Sequence, residues 1–266
     1  MTAKQEPSFF QHGGNDIAYH KVEGREPTLV WLGGFRSDMD GTKALAVEGF
    51  ARAHGLGCLR FDYSGHGQSG GAFEEGTIGS WTDDADAAVQ KLTERDLVLV
   101  GSSMGGWIAL LLAQKMAQVA KEAGVKIRLK ALVLLAPAPD FTEDLMWQKL
   151  TFEQQRAILE QGQVSLPSPY DPEPTILTRA LFEDGKKHLL LDGQIETACP
   201  VTILQGVADP DVPYTHAQRL MNSLVSEDVT LTLIKDGDHR LSRPQDIETL
   251  KRALQAATMP APGELV

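Results

Sequence analysis

Short apolar runs alternate along the chain with longer segments that carry an apolar residue at every third or fourth position. Continuous apolar runs predict strands buried on both faces, here Thr28–Leu32, Cys58–Phe61, Leu97–Val100, Ala131–Leu135 and Val201–Leu204. Two further runs, Ile17–Val22 and Val229–Ile234, alternate apolar and polar residues, which is typical of edge or antiparallel strands. This order of elements predicts an α/β protein with a mostly parallel sheet.

Segments with helical periodicity lie between these strands and supply the crossovers that parallel strands need. They are Gly41–His54, Ile78–Glu94, Gly105–Ala123, Tyr214–Val225 and Pro244–Ala257. Pro244 stands in the first turn of the last segment, where the missing N–H of proline costs nothing.

One long segment, from Leu135 to Val201, interrupts this rhythm. It holds an amphipathic stretch, Glu143–Gln161, a second helical stretch, Thr175–Glu183, and between them a turn with prolines at 167, 169, 172 and 174. Long insertions usually serve a function, so we expect a small helical cap over the active site at about 140–191, within a single domain spanning 1–266. A peripheral decoration is the alternative.

Composition and charge narrow the class of protein. The chain has 266 residues, 42% hydrophobic and 23% charged, which is ordinary for a globular protein. A net charge of -11 argues against nucleic acid as the main partner and against a basic anchor on anionic lipid. The two cysteines, Cys58 and Cys199, lie far apart and form neither a disulfide framework nor a zinc-ligand spacing.

The same features suggest a location. The two cysteines favour a reducing compartment, and residues 1–15 lack a basic head followed by an apolar core, so no signal peptide is expected. The longest apolar stretches are too short for a membrane span. We therefore expect a soluble, cytoplasmic protein, whose oligomeric state the sequence leaves open.

Ser103 is the candidate nucleophile. It is the central residue of the G-x-S-x-G motif at 101–105, which follows an apolar strand and runs directly into a helical segment. This strand–turn–helix context is what a nucleophile elbow requires. A second match, at 67–71 with Ser69 at its centre, lies in a glycine-rich loop with no helix behind it and is the weaker candidate.

A serine needs a neighbouring base, and the base in turn needs an acid to orient it. Of the three histidines downstream of Ser103, His239 lies just past the last predicted strand, and we expect it to be the base. The other two, His188 and His216, are expected on the surface. For the acid, the loop after Val201–Leu204 offers Asp209, which is favoured, and Asp211; the carboxylate at 140 is a third option.

Two backbone N–H groups are expected to form an oxyanion hole. Met104 follows the nucleophile directly, and Phe35 lies in the glycine-rich turn after Thr28–Leu32. Arg36, beside that turn, is a candidate ligand for an anionic group of the substrate. His66 lies in a turn-rich loop upstream of the nucleophile and is interpreted as structural.

These motifs together resemble the α/β-hydrolase superfamily. The resemblance rests on the Gly33-Gly34-Phe35 turn and on four motifs in the expected order: residues 62–67, 101–106, 206–209 and 238–239. More narrowly, residues 37–44, the Trp147-x-x-Leu150 pair and residues 236–240 are similar to the mitochondrial palmitoyl-protein thioesterase and acyl-glucuronide esterase branch. No transit peptide is seen, so a bacterial cytoplasmic relative is expected.

The resemblance implies an α/β-hydrolase fold: a mostly parallel eight-stranded sheet flanked by helices, with a small helical cap. It implies Ser103, Asp209 and His239 as the triad of a serine hydrolase that cleaves carboxylic esters or acyl thioesters without metal or cofactor. The alternatives are carbon–carbon bond hydrolysis or acyl transfer by the same triad, and a hydrolase-fold protein that binds a ligand without turnover.

The cap offers a candidate acyl pocket, with Trp147 and Leu150 as predicted substrate-binding residues. The wider apolar stripe is Leu145, Met146, Trp147, Leu150, Phe152 and Ile158. Such a stripe often does no more than pack a helix onto the body of a protein, so both interpretations stay open.

Overall fold

A computed structural model describes residues 6–119, 127–167 and 174–259. At its centre is an eight-stranded sheet with strand order β1-β2-β4-β3-β5-β6-β9-β10. The first two strands pair antiparallel, β2 also pairs antiparallel with β4, and the remaining neighbours are parallel. This is the mostly parallel eight-stranded sheet that the resemblance implies, so the prediction of an α/β-hydrolase fold is confirmed.

The elements follow one another in the order strand, helix, strand over most of the chain. The strands are β1 Ser8–His12, β2 Asn15–Val22, β3 Arg25–Leu32, β4 Leu56–Phe61, β5 Asp96–Ser102, β6 Arg128–Leu135, β7 Gln163–Leu166, β8 Thr175–Thr178, β9 Val201–Gly206 and β10 Val229–Ile234. The helices are α1 Thr42–His54, α2 Ile78–Leu92, α3 Met104–Val119, α4 Phe152–Gln161, α5 Arg179–Gly185, α6 Tyr214–Ser223 and α7 Pro244–Thr258.

Helices cover both faces of the sheet, and the central strands show why their sequences are apolar throughout. In β3, Leu29 and Trp31 point into the layer that holds α1 and α7. The alternate residues Val30 and Leu32 point into the layer that holds α2, α3 and α6. Because both faces of such a strand are buried, a continuous apolar run is the expected pattern.

Outside the insertion, the sequence-based boundaries of the predicted elements lie within about three residues of the observed ones wherever the structure describes both, and one strand was not predicted. Strand β1 escaped prediction because it lies at the sheet edge and is largely exposed, with 52% of Phe9 accessible to solvent. The predicted helix over Gly105–Ala123 begins one residue earlier, at Met104, and its last four predicted residues lie outside the described part of the chain.

The insertion, defined here as residues 136–200 between β6 and β9, differs from the predicted pair of helices. It opens with a π-helical turn, Thr142–Met146, and a 3₁₀ turn, Trp147–Lys149, before α4 begins. Thr151 caps α4 by accepting the N–H of Gln154, and this cap interrupts the predicted amphipathic stretch.

The second predicted helix of the insertion, Thr175–Glu183, is wrong over its first four residues. Those residues form β8, which pairs antiparallel with β7. Three of the four are β-branched, and such residues favour strands when a partner strand is available. The helix α5 starts only at Arg179, capped by the Thr178 side chain. Most of the predicted proline-rich turn, residues 168–173 with two of its four prolines, lies outside the described residues.

Among the described helices, none combines the length and the apolar character that crossing a bilayer would require.

Candidate active site

Ser103 occupies a sharp turn between β5 and α3. Its φ is 54°, a left-handed backbone conformation that L-residues other than glycine rarely adopt. The turn is held from the neighbouring strand: the Ser103 N–H donates to Leu135 O at 2.9 Å, and Ala138 N–H donates to Ser103 O at 3.1 Å. A strained residue fixed by its surroundings is a feature of functional sites.

The two glycines of the motif are required by close backbone contact. A Cβ at Gly101 would lie 2.4 Å from the carbonyl oxygen of Gly105. One at Gly105 would lie 2.0 Å from the carbonyl oxygen of Leu32. The strand, the helix and β3 therefore approach more closely than any side chain would permit, and this packing raises the serine above the sheet.

His239 follows β10 and lies between Ser103 and Asp209. Its Nε2 is 3.1 Å from Ser103 Oγ, and its Nδ1 is 2.9 Å from Asp209 Oδ2. An ionised carboxylate only accepts hydrogen bonds, so Nδ1 carries the proton and Nε2 is left to accept the serine hydroxyl proton. The three side chains form one continuous hydrogen-bonded chain.

The Asp209 carboxylate is buried and held by four donors. Oδ1 accepts the N–H groups of Asp211 at 2.8 Å and Val212 at 2.9 Å, while Oδ2 accepts Gln205 Nε2 at 3.1 Å in addition to His239. Burial alone raises the pKa of Asp209, but the hydrogen bonds from His239 and the backbone outweigh it and lower the pKa. Asp209 is therefore ionised at neutral pH.

The other two candidate acids have different surroundings. Asp211 contributes its backbone N–H to Asp209. The buried carboxylate of Asp140 accepts two backbone N–H groups: Leu190 donates to Oδ1 and Leu191 to Oδ2, each at 2.8 Å. It therefore joins the beginning of the insertion to its end.

The remaining serine and histidine candidates are engaged elsewhere. Ser69 Oγ donates to Asp62 O and accepts the Ala18 N–H, which ties its loop to β2. The half-buried His188 lies 3.5 Å from Asp184 through Nε2. His216 was expected on the surface but is 7% exposed, and its Nε2 lies 2.8 Å from Pro139 O.

The two predicted oxyanion donors border the serine. Met104 is the first residue of α3, so its N–H has no acceptor within the helix. The turn that carries Phe35 packs against the elbow: a Cβ built on Gly34 would lie 3.5 Å from the Ser103 Cβ. The phenyl ring of Phe35 contacts Phe141 edge-on, with centroids 5.7 Å apart.

The predicted substrate-binding residues lie in the turn after β3 and in the insertion. Arg36 donates through Nη1 to Pro174 O of the insertion at 3.1 Å, and its guanidinium lies 5.5 Å from the Phe73 ring centroid. Trp147 and Leu150 are half-buried and pack against the main core. Within the apolar stripe, Phe152 is 73% exposed, while Ile158 is completely buried.

Two supporting residues escaped the sequence analysis. Gln205 donates to Asp209 from within β9, and the only signal was a polar residue directly after the apolar pair Ile203–Leu204. Lys43 Nζ donates to Arg240 O, next to His239. Burial lowers the pKa of Lys43 to about 8, against the opposing field of Asp238.

One group of metal-ligand types occurs among the described residues. Asp209, Asp211 and His239 have ligand atoms within 4.8 Å of one another. The atoms of Asp209 and His239 are those that form the hydrogen-bonded chain to Ser103, so they do not make a separate donor set.

The chain is similar to known proteins of one family. The sequence model described as "Alpha/beta hydrolase family" matches residues 29–250. A human protein named "Palmitoyl-protein thioesterase ABHD10, mitochondrial" is 35% identical over 236 residues, which cover 88% of this chain and 74% of the relative. The resemblance to this thioesterase branch is therefore confirmed.

Solved structures extend the comparison. A protein of Agrobacterium vitis S4 is 46% identical with a TM-score of 0.90, covering 96% of this chain and 99% of the other. Mouse alpha/beta hydrolase domain-containing protein 10 is 32% identical with a TM-score of 0.84, covering 95% and 98%.

The predicted cytoplasmic location is wrong. The curated relatives from human, orangutan and cattle are all named as mitochondrial proteins, which points to mitochondria rather than to the cytoplasm. The prediction rested on the two isolated cysteines, on the absence of a signal-peptide pattern in residues 1–15 and on the short apolar stretches, and none of these features distinguishes the cytoplasm from mitochondria. The enzyme class is confirmed, and the chain belongs to the alpha/beta hydrolase family.

Proposed function

We propose that this chain hydrolyses acyl thioesters or carboxylic esters through a triad of Ser103, His239 and Asp209. The observation that carries the proposal is the unbroken hydrogen-bonded chain from the serine hydroxyl through the imidazole to a buried, ionised carboxylate. The name of the human relative, a palmitoyl-protein thioesterase, favours acyl thioesters within this class.

The first half of the reaction transfers the acyl group to the enzyme. His239 Nε2 takes the hydroxyl proton of Ser103 as Oγ attacks the carbonyl carbon, and the carbonyl oxygen becomes an oxyanion. The N–H groups of Met104 and Phe35 donate to this oxyanion. The tetrahedral intermediate collapses, the bond to the leaving oxygen or sulfur breaks, and His239 returns the proton to that atom.

The second half releases the acid. Water gives a proton to His239 Nε2 and attacks the acyl carbon, and collapse of the second intermediate frees Ser103 Oγ, which regains its proton from the imidazole. Asp209 holds Nδ1–H in place and stabilises the imidazolium during both halves. The residues of the chain account for every proton transfer.

The insertion is proposed to act as a cap. Lys149 Nζ donates to Asp211 O at 3.3 Å, which places the 3₁₀ turn beside the loop of the triad acid. Arg36 joins Pro174 of the insertion to the turn that carries Phe35. The insertion therefore contacts two of the loops that carry the proposed catalytic groups, which supports its role as a cap that shapes substrate access.

Within this cap, Trp147 and Leu150 are proposed to line the acyl site. Trp147 packs edge-on against Phe182 with centroids 5.1 Å apart, and Lys186 lies 5.7 Å above its ring. A half-buried aromatic ring fixed in this way offers a rigid apolar wall to an acyl chain.

The proposal is tested by hydrolysis of a graded series of acyl esters and acyl thioesters by the wild type and by Ser103→Ala. Turnover that peaks at one chain length and is lost in the variant is expected. Ser69→Ala, which alters the second match to the motif, should keep its turnover. Wild-type rates no faster than those of Ser103→Ala across the whole series would refute ester and thioester hydrolysis.

A further inference from the structure

His66 is a buried histidine that the proposed mechanism does not use. Its Nε2 accepts the backbone N–H of Arg36 at 3.2 Å, and its Nδ1 lies 3.3 Å from Ser64 O. A carbonyl oxygen can only accept, so Nδ1 carries the proton and Nε2 offers its lone pair. The two contacts thus select a single neutral tautomer.

The residue that His66 holds is the one that follows Phe35. Arg36 has a φ of 56°, in the left-handed region, so its backbone is strained and needs external support. The peptide N–H that His66 accepts belongs to the same short turn as the Phe35 N–H. Loss of that support would let the turn relax and would change the direction of the Phe35 N–H.

The side chains of His66 and Phe35 also share the same two aromatic neighbours. The His66 ring lies 5.1 Å from the centroids of both Phe73 and Trp81, and the Phe35 ring lies 4.9 Å and 5.9 Å from them. Trp81 Nε1 donates in turn to Ser64 O at 3.1 Å, the carbonyl that His66 Nδ1 faces. The cluster fixes the imidazole plane and the turn together.

Burial keeps the His66 imidazole neutral, so that Nε2 can accept the Arg36 N–H. Only 4% of His66 is exposed, and burial lowers the pKa of this histidine to about 4. The nearby guanidinium of Arg36 acts in the same direction. The Nε2 lone pair is therefore free of a proton at neutral pH, as the contact with Arg36 N–H requires.

We propose that His66 is a positioning residue that holds the turn of Phe35 and Arg36 in the orientation in which the Phe35 N–H meets the oxyanion. The inference rests on the proposed function, because it assigns a role within the same acyl-transfer site. His66 does not touch the substrate. Its effect is carried by one backbone hydrogen bond.

The first test compares His66→Leu with His66→Gln. Leucine removes the acceptor, whereas the Oε1 atom of glutamine accepts at nearly the same distance from the backbone. A misdirected oxyanion donor weakens the transition state more than the bound substrate, so His66→Leu should lower kcat about 10- to 100-fold with KM little changed. His66→Gln should recover most of that loss.

Tyr63→Phe is the matched control. Tyr63 packs edge-on against His66 with centroids 5.6 Å apart, and its buried hydroxyl has no partner among the described residues. The variant removes a buried hydroxyl from a ring that contacts His66 and leaves the Arg36 N–H contact unchanged, so its kcat should stay close to that of the wild type. Equal losses in His66→Leu and Tyr63→Phe would indicate a packing effect and overturn the inference.

A second measurement reports on the stabilisation of the oxyanion separately from turnover. A trifluoromethyl ketone of matched acyl length adds to a catalytic serine as an oxyanion, so its inhibition constant should rise in His66→Leu by a factor similar to the loss in kcat/KM. An unchanged inhibition constant and kcat would overturn the role of His66 and leave Ser103-dependent hydrolysis intact. Absence of any turnover in the wild type would instead count against the proposed function.

A measurement on the wild-type protein covers the case in which His66→Leu does not fold. Nitrogen-15 NMR of histidine-labelled protein should show His66 neutral at pH 7, with the proton on Nδ1 and a scalar coupling between Nε2 and the Arg36 amide. A proton on Nε2 would exclude the contact with Arg36 N–H and would contradict the inference directly.

Discussion

The Nδ1 atom of His239 lies 2.9 Å from Oδ2 of Asp209, whose side chain is fully buried. Asp211 stands two residues away, and its backbone N–H donates to the same carboxylate. The two aspartates, which the sequence alone left open, therefore have different surroundings. The Asp209 carboxylate faces the imidazole, and the backbone N–H of Asp211 supports that carboxylate.

Asp209→Asn should lower kcat/KM by about 10⁴-fold. The asparagine amide can donate to Nδ1, which moves the imidazole proton to Nε2, so the ring can no longer accept the Ser103 proton. Asp211→Asn should change kcat/KM by about twofold at most, because it keeps the backbone donor. Steady-state kinetics on one active thioester measure both, and the reverse ranking would show that Asp211 is the acid.

Backbone strain at Ser103 should affect the free energy of unfolding of variants at this position. Ser103 has a φ of 54°, which glycine adopts without penalty but alanine does not. Ser103→Gly should therefore be about 0.5 to 1 kcal/mol more stable than Ser103→Ala, while neither variant turns over substrate. Urea unfolding measures the difference.

The same pair of substitutions at an ordinary strand position is the control. Ser165 is exposed in β7, where glycine should be less stable than alanine. If Ser103→Gly were also less stable than Ser103→Ala, the backbone at position 103 would not be strained.

The free energy of unfolding should depend on pH through His66. Its pKa is about 4 in the folded protein, against an ordinary value of 6.5. Between these values the unfolded chain binds more protons, so His66 lowers stability as the pH falls from 6.5 to 4 and leaves it unaffected above 6.5.

Over this window the wild type should lose about 3 kcal/mol relative to His66→Gln, which cannot titrate. Denaturant unfolding of both proteins at pH 7 and pH 4.5 measures most of the difference. Parallel stability curves for the two proteins would mean that the folded protein binds a proton at His66 as readily as the unfolded chain does.

Trp147→Ala separates an acyl-binding role from simple packing. If Trp147 lines the acyl site, KM should rise for long acyl thioesters and stay nearly constant for acetyl thioesters, since a short chain does not reach the ring. Phe152→Ala is the control, because 73% of that ring is exposed on α4. An equal loss of kcat/KM for every acyl chain length, together with a lower Tm, would show that Trp147 serves packing alone.

The central sheet was predictable because its strands are buried on both faces. Val30 and Leu32 face one helical layer and Leu29 and Trp31 the other, so the sequence shows an uninterrupted apolar run. The edge strand β1 carries no such signal. The hairpin of the insertion depends on pairing between β7 and β8, and each strand is only four residues long, which is too short for a clear periodicity in the sequence.

The candidate site was predictable where backbone chemistry constrains the residue type. Gly105 must lack a side chain because of the Leu32 carbonyl, and this requirement shows in the sequence as a motif. The sequence favours Asp209 over Asp211, but no backbone constraint of this kind separates two carboxylates that follow β9 in one loop. The contact of His66 with Arg36 joins residues 30 positions apart and emerges only from the folded chain.

The most direct test of the account is to trap the acyl-enzyme. Acid quenching during turnover of a p-nitrophenyl acyl ester, followed by digestion and mass spectrometry, should locate one acyl group per chain on the peptide that contains Ser103. The same peptide should stay unmodified in Ser103→Ala. Turnover with no adduct, or an adduct on the peptide of Ser69, would contradict covalent catalysis by Ser103.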